Sequence, residues 1–415
     1  TPETVYKMSL YEVLNVQCKY EVDTDALITA AQQNPQDKDL LYSFLYPNEY
    51  GRFPLHQAII LGLSVEVIQA LSSPIAIKAK LSDERTPLHL ACEFGSSLDV
   101  VSTLLRIYPH AAREKDDDGD TPLHMVCAEN TSLEVVYALL DVWPDAVREK
   151  DTYGYTPLHG ACTANTSLEV VSALLDEWPD AAREKESEGW TPLHCACACA
   201  ALIPDASSEV VSALLDEWPD AVREKENEGW TPLHCACGIF GSDEESSLDE
   251  ENRYVSLEVV SVLLDAWPDA VREMENNGYT PIHGAIMNNA SLEVLQMLFD
   301  KWLEVTKNKS SHYMDSLIPY SSGNNKEFLH NLSSLFKGEQ SNLSPNIVMT
   351  YFIGIKWWNG VWLVIKMYPS VIKNIHLQVN TMAKCLPVNT MADFLSIAGK
   401  RCSRTVMMRL LENEP

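Results

Sequence analysis

Positive charge is scarce over the first 300 residues of this 415-residue chain, where 18 Lys and Arg stand against 52 Asp and Glu, a balance of 18 − 52 = −34. Residues 301–415 reverse the sign, with 13 against 7 and a balance of +6, so the two parts are different material. A surface that acidic repels phosphate and draws basic partners, which argues against nucleic acid as the ligand of the first part. Long apolar runs are missing too. The best candidate, Ile347 to Tyr368 with Trp357, Trp358 and Trp362, is broken by Lys356, Asn359, Gly360 and Lys366 and falls short of the ~18 uncharged residues a membrane span needs. No glycine-rich phosphate loop, nucleophile elbow or zinc-protease helix occurs. No catalytic residue, metal ligand, cofactor or small-molecule substrate is therefore expected. No basic stretch leads into an apolar one after Thr1, so no signal peptide is in view.

Cysteine, by contrast, is plentiful. Of the 11 cysteines, Cys92, Cys127, Cys162, Cys197 and Cys237 fall at one point of a recurring segment and read as a repeat position rather than a disulfide framework. Unpaired thiols in that number suit a reducing compartment, which predicts cytoplasm or nucleus. The recurrence is plain in another motif. Thr-Pro-Leu-His or a near copy begins at Phe53, Thr86, Thr121, Thr156, Thr191, Thr231 and Thr280, in steps of 33, 35, 35, 35, 40 and 49 residues. A period of that size means stacked supersecondary units.

Each unit carries explicit start and stop signals. In Thr156-Pro157-Leu158-His159-Gly160-Ala161-Cys162 the threonine can cap a helix, and proline fits the first helical position because its missing N–H would be unpaired there anyway. A second helix starts at Ser167, with Glu169 in its first turn. Leu168, Val171, Leu174, Leu175 and Trp178 give it a buried stripe, and Pro179 ends it. Arg183 to Trp190 then forms a polar, glycine-containing hairpin. In these residues the unit resembles an ankyrin repeat, whose signature is a Gly-x-Thr-Pro-Leu-His-x-Ala run. The resemblance covers roughly residues 50–303 and departs from the family in a Trp-Pro-Asp-Ala segment after helix two and a longer period. It implies an all-α ankyrin-repeat solenoid of stacked helix-turn-helix units with hairpin fingers.

The expected organisation is N-terminal capping helices over 1–50, with Asp25 to Gln33 and Leu40 to Tyr46 as the pair, then seven repeats over 51–303. The turn between Cys197 and Ser208 is five residues longer than usual. That between Cys237 and Leu257 is fourteen longer, giving an acidic insertion over 238–256 with Asp243, Glu244, Glu245, Asp249, Glu250 and Glu251. A divergent connecting segment follows over 304–345. Residues 346–415 read as degenerate repeats, since Tyr368-Pro369-Ser370-Val371 echoes Trp143-Pro144-Asp145-Ala146 and Leu410 to Pro415 echoes Leu174 to Pro179. The second echo predicts that the native chain continues beyond residue 415.

His194-Cys195-Ala196-Cys197-Ala198-Cys199 and His234-Cys235-Ala236-Cys237 look like zinc ligands by type. Helical spacing argues against them: residues two apart face away from each other, and stacked helices lie about 8 to 10 Å apart. The family resemblance makes the seven motif histidines ties between neighbouring repeats rather than bases. It also places the residue between Gly and Thr at the base of the finger, facing a concave groove. That residue is Asp120, Tyr155, Trp190, Trp230 and Tyr279 in successive units, with Arg52 and Arg85 earlier. Large aromatics on a surface make binding hot spots. Tyr155, Trp190, Trp230 and Tyr279, bordered by Asp117, Asp118, Glu188 and Glu228, are therefore the candidate contacts for a basic protein partner, with rings packed on neighbouring hairpins as the competing reading. By contrast Trp143, Trp178, Trp218 and Trp267 are expected to be core. The function implied is non-catalytic scaffolding by a monomer, or the regulatory or substrate-recruiting part of a larger enzyme or signalling protein.

Overall fold

The computed structural model describes residues 9–16, 18–44, 51–129, 132–203, 208–238, 254–307, 309–338, 341–368 and 371. They form two units, 1–236 and 237–415.

The first unit opens on two helices, α1 (Leu10–Leu14) and α2 (Thr24–Gln33), which pack on each other and on the repeat that follows. Asp23 caps α2 by accepting from Ala26 N–H at 2.9 Å, and Leu27, Ala30 and Ala31 form its buried face. The expected helix over Leu40 to Tyr46 is not there in its described part. Residues 42–43 (β1) instead pair antiparallel with Gly51–Arg52 (β2), with Tyr42 opposite Arg52. The β-branched-poor run Leu-Leu-Tyr-Ser-Phe suits either state, and pairing to the chain entering the first repeat decides it. Residues 45 and 46 lie outside the described residues.

Five helix pairs and one leading helix then repeat the same geometry: α3 (Pro54–Ile60) with α4 (Val65–Leu71), α5 (Pro87–Glu93) with α6 (Leu98–Ile107), α7 (Pro122–Ala128) with α8 (Leu133–Val142), α9 (Pro157–Thr163) with α10 (Leu168–Glu177), α11 (Pro192–Leu202) with α12 (Ser208–Glu217), and α13 (Pro232–Ala236). First helices stack in one layer from α3 to α13 and second helices in another from α4 to α12, so every repeat touches only its neighbours, as in a solenoid. The described helices are short because each buries only one stripe. In α10 the stripe is Val170, Val171, Ala173, Leu174 and Leu175, while Leu168, expected in it, is only half-buried.

The Trp-Pro-Asp-Ala-x-Arg segment after helix two has a structural role. Trp143 and Trp178 end their helices, are about nine-tenths covered, and each lies under the guanidinium of the preceding repeat: Arg113 over Trp143 at 5.4 Å and Arg148 over Trp178 at 5.1 Å. Such cation–π contacts contribute of the order of 0.5–1 kcal/mol each at partly exposed sites. A second line runs beside it, with Lys115 on Glu149 at 2.9 Å, Lys150 on Glu184 at 2.7 Å and Lys185 on Glu224 at 2.7 Å. The last of these spans the 40-residue step. The extra length is taken up in the turn between helices: α11 runs to Leu202, a turn beyond its counterparts, and residues 204–207 lie outside the described residues.

The second unit holds α14 (Leu257–Ala266), α15 (Pro281–Met287) with α16 (Leu292–Val305), α17 (Ser311–Leu317), α18 (Gly323–Lys337), and α19 (Pro345–Gly354) with α20 (Trp358–Met367). The α19–α20 pair has the local geometry of a repeat despite its lost signature. Ser344-Pro345 starts it, Lys356 takes the left-handed turn (φ 58°) that Asn165 takes earlier (φ 51°), and Val371 N–H donates to Tyr368 C=O at 3.0 Å as Ala146 does to Trp143 at 3.1 Å. Residues 239–253, with the acidic insertion's charges, and 372–415, with the second echo, lie outside the described residues. No described helix is long and apolar enough to cross a membrane.

Candidate functional site

Asp120, Tyr155, Trp190 and Trp230 stand where a finger meets the next first helix, and both backbone groups of each are pinned. The pin below is a carboxylate that sequence reading passed over. Asp116, Asp151, Glu186, Glu226 and Glu275, each four residues before a candidate, are largely buried. Glu186 accepts from Glu188 N–H at 2.9 Å and Trp190 N–H at 2.8 Å, and Asp151 accepts from Tyr153 N–H at 2.9 Å and Tyr155 N–H at 2.7 Å. The finger is closed by Glu186 N–H donating to Trp190 C=O at 3.1 Å. Its tight turn needs Gly189 at φ 90°, a conformation costly for other residues. The signal was available: an acid recurs at that offset in five successive units, though not before Arg52 or Arg85.

The pin above is the motif histidine of the preceding repeat. Thr156 N–H donates to His159 Nδ1 at 3.2 Å, so that nitrogen carries no proton, and the Nε2–H donates to Trp190 C=O at 3.2 Å. His89, His124 and His194 repeat the contact to the carbonyls of Asp120, Tyr155 and Trp230 at 3.1–3.2 Å. Threonine and histidine thus make a reciprocal cap, with histidine in the place usually taken by Glu or Gln. Burial drives His124, His159 and His194 down to about 4, which keeps them in the neutral form the geometry requires.

On this fixed backbone the side chains differ. Tyr155 and Trp190 are half-exposed, each ring set against its own motif histidine at 5.5 and 5.9 Å. Trp230 is only 8 % exposed and meets the Trp190 ring edge-on at 6.2 Å. Trp230 is thus largely a packing residue, as the competing reading had it. Tyr279 belongs to the second unit, half-exposed, with its ring 5.4 Å from His283 and 6.0 Å from the exposed Tyr320. Asp117, Asp118, Glu188 and Glu228 are exposed at the finger tips, where backbone bonds join successive fingers: Thr152 N–H to Asp118 C=O at 2.8 Å and Asn227 N–H to Glu188 C=O at 2.9 Å.

Charge gathers at the start of the column. Arg85 reaches Glu93 at 2.9 Å and Asp116 at 3.4 Å and is used up there. Asp120 in the next finger is pushed up to about 6 by burial and by Asp116, Asp151 and Asp118. Acid is therefore in excess beside the aromatic positions. The nine described cysteines are free, and all but Cys18 are buried. Burial raises the thiols of Cys92, Cys127, Cys162 and Cys237, which makes them inert core residues. Among the described residues no three His, Cys, Asp or Glu side chains converge as metal ligands.

Capped helix pairs, stacked first and second helices and hydrogen-bonded fingers define a helical repeat solenoid. The sequence matches the model of ankyrin repeats (3 copies) over residues 27–109, 64–146, 88–181 and 125–221, and the chain is an ankyrin-repeat protein. Ankyrin repeats are generally protein–protein interaction modules and typically non-catalytic. No curated protein matches the chain.

Proposed function

We propose that the chain is a non-catalytic scaffold or adaptor that holds a basic protein segment along the finger-base column of its first unit. The observation that carries this is the pair Tyr155 and Trp190, two half-exposed aromatics on backbone fixed from both sides. Preorganised rings lose little freedom on binding, which is what makes aromatic hot spots effective. Asp120 and the exposed finger acids Asp117, Asp118, Glu188 and Glu228 supply the complementary charge. Tyr279 offers a like contact in the second unit. The free, buried cysteines favour a reducing compartment, cytoplasm or nucleus.

The test uses the full chain and a labelled peptide rich in Lys and Arg with two or three interspersed Leu or Phe. Changing Tyr155 and Trp190 together to Ala is expected to weaken binding at least tenfold, the scale of one hot spot. Trp230→Ala is expected to lower thermal stability. Unchanged affinity in the folded double variant overturns the reading.

A further inference from the structure

A groove of about 700 Å³ in the second unit lies between α16 and α20, with the end of α18 beside it. Leu303, Phe336, Trp362 and Leu363 give it apolar walls, and Lys307, Lys309 and Lys366 stand around them. Lysines of the first unit meet glutamates in a regular line, whereas these three form no ion pair among the described residues. Lys309 bonds only the Thr306 carbonyl, and burial and the Lys366 charge lower its ammonium below the ordinary value. The acids nearby do not answer them. Asp300 accepts from Trp357 Nε1–H at 2.8 Å and from the Asn359 amide, and Glu304 stays exposed without an ion pair. The Asn359 Nδ2 is the donor to Asp300, and its Oδ1 is buried without a donor.

These needs are complementary to one kind of occupant. Unpaired ammonium groups call for anions, and the Trp362 and Phe336 rings for an apolar side chain. We propose that this groove is a second docking site that takes an acidic peptide segment of a partner: one apolar side chain against Trp362 and flanking carboxylates on Lys309 and Lys366. A free anion supplies the charge but not the apolar group. All three of the groove's lysines lie in the part of the chain with balance +6, which gives the molecule binding surfaces of opposite preference.

The experiment is fluorescence anisotropy of a labelled Glu-rich nonapeptide with one central Phe, titrated with the full chain. Binding is expected, weakening as salt rises from 50 to 300 mM. The double variant Lys309→Glu with Lys366→Glu, and separately Trp362→Ala, are each expected to weaken it at least tenfold. Lys326→Glu on α18, outside the groove, is expected to leave it within twofold. The Tyr155/Trp190 double variant is also expected to bind normally, which separates this site from the finger-base column. Binding by the lysine double variant within twofold of the parent overturns the proposal, as does binding by Trp362→Ala within twofold of it. So does capture of anionic phospholipid vesicles without capture of the peptide.

Discussion

His159 shows how much one side chain can hold. It accepts from Thr156 N–H, shares the Thr156 hydroxyl at 2.8 Å, and donates to Trp190 C=O in the next repeat. His159→Ala leaves the buried Thr156 N–H without its acceptor and takes one of two donors from the Trp190 carbonyl, and an unfolding midpoint in urea is expected to report a loss of about 1 to 2 kcal/mol. The pH dependence follows from the same bonds. His56, His124, His159 and His194 have folded-state values of about 4, below the ordinary 6.5 of an unfolded chain. The unfolded state therefore binds more protons between pH 6.5 and 4, and stability falls as pH drops through that window, by roughly 1 kcal/mol per histidine per unit below pH 6. Asp120 works the other way, its folded value near 6 being raised by burial, so the folded state takes up its proton first. Glu93, Asp151 and Glu226 are raised like Asp120, and His89 and His283 are lowered like the other four, so six histidines against four acids make net destabilisation the expected result of denaturant titrations at pH 7, 6 and 5. The inter-repeat bond was readable as a family trait of the motif. The cap was not, because the sequence does not tell which ring nitrogen faces the helix start.

At the scale of the finger, the buried acid decides the shape. Glu186→Ala removes the acceptor for two N–H groups, and hydrogen exchange at Glu188 and Trp190 is expected to speed up well before global unfolding. Glu186→Gln, which keeps one acceptor oxygen, is expected to retain most of the protection. Helix starts at Thr-Pro and helix ends at Trp-Pro were legible because each rests on local chemistry, an N-cap, a fixed φ and a missing donor. Leu40 to Tyr46 was misread because its state depends on pairing with Gly51 and Arg52, which no local pattern specifies. The candidate column was half legible. Its positions followed from periodicity, but exposure is set by the neighbouring unit, and Trp230 is covered where Trp190 is not.

At the scale of the whole molecule, the −28 charge makes association depend on ionic strength. Basic and acidic probes are both expected to bind less tightly in salt, but to be lost through different substitutions, one set in each unit. The stacked repeats of the first unit were legible from their period, whereas α17 and α18 carry no signature because packing against α16 and α19 needs only apolar residues at helical spacing. One feature of the plan reaches beyond stability. The 40-residue step keeps both its Lys185–Glu224 pair and its His194–Trp230 bond, the surplus entering between Cys197 and Ser208 at the turn between the two helices, where α11 is lengthened to Leu202. That turn is a splice point. New sequence can enter the gene there while the faces that hold neighbours together stay as they are, each doubling of loop length costing only about 0.6 kcal/mol. A lineage of such proteins can thus try new peptide insertions one repeat at a time without relearning how to fold.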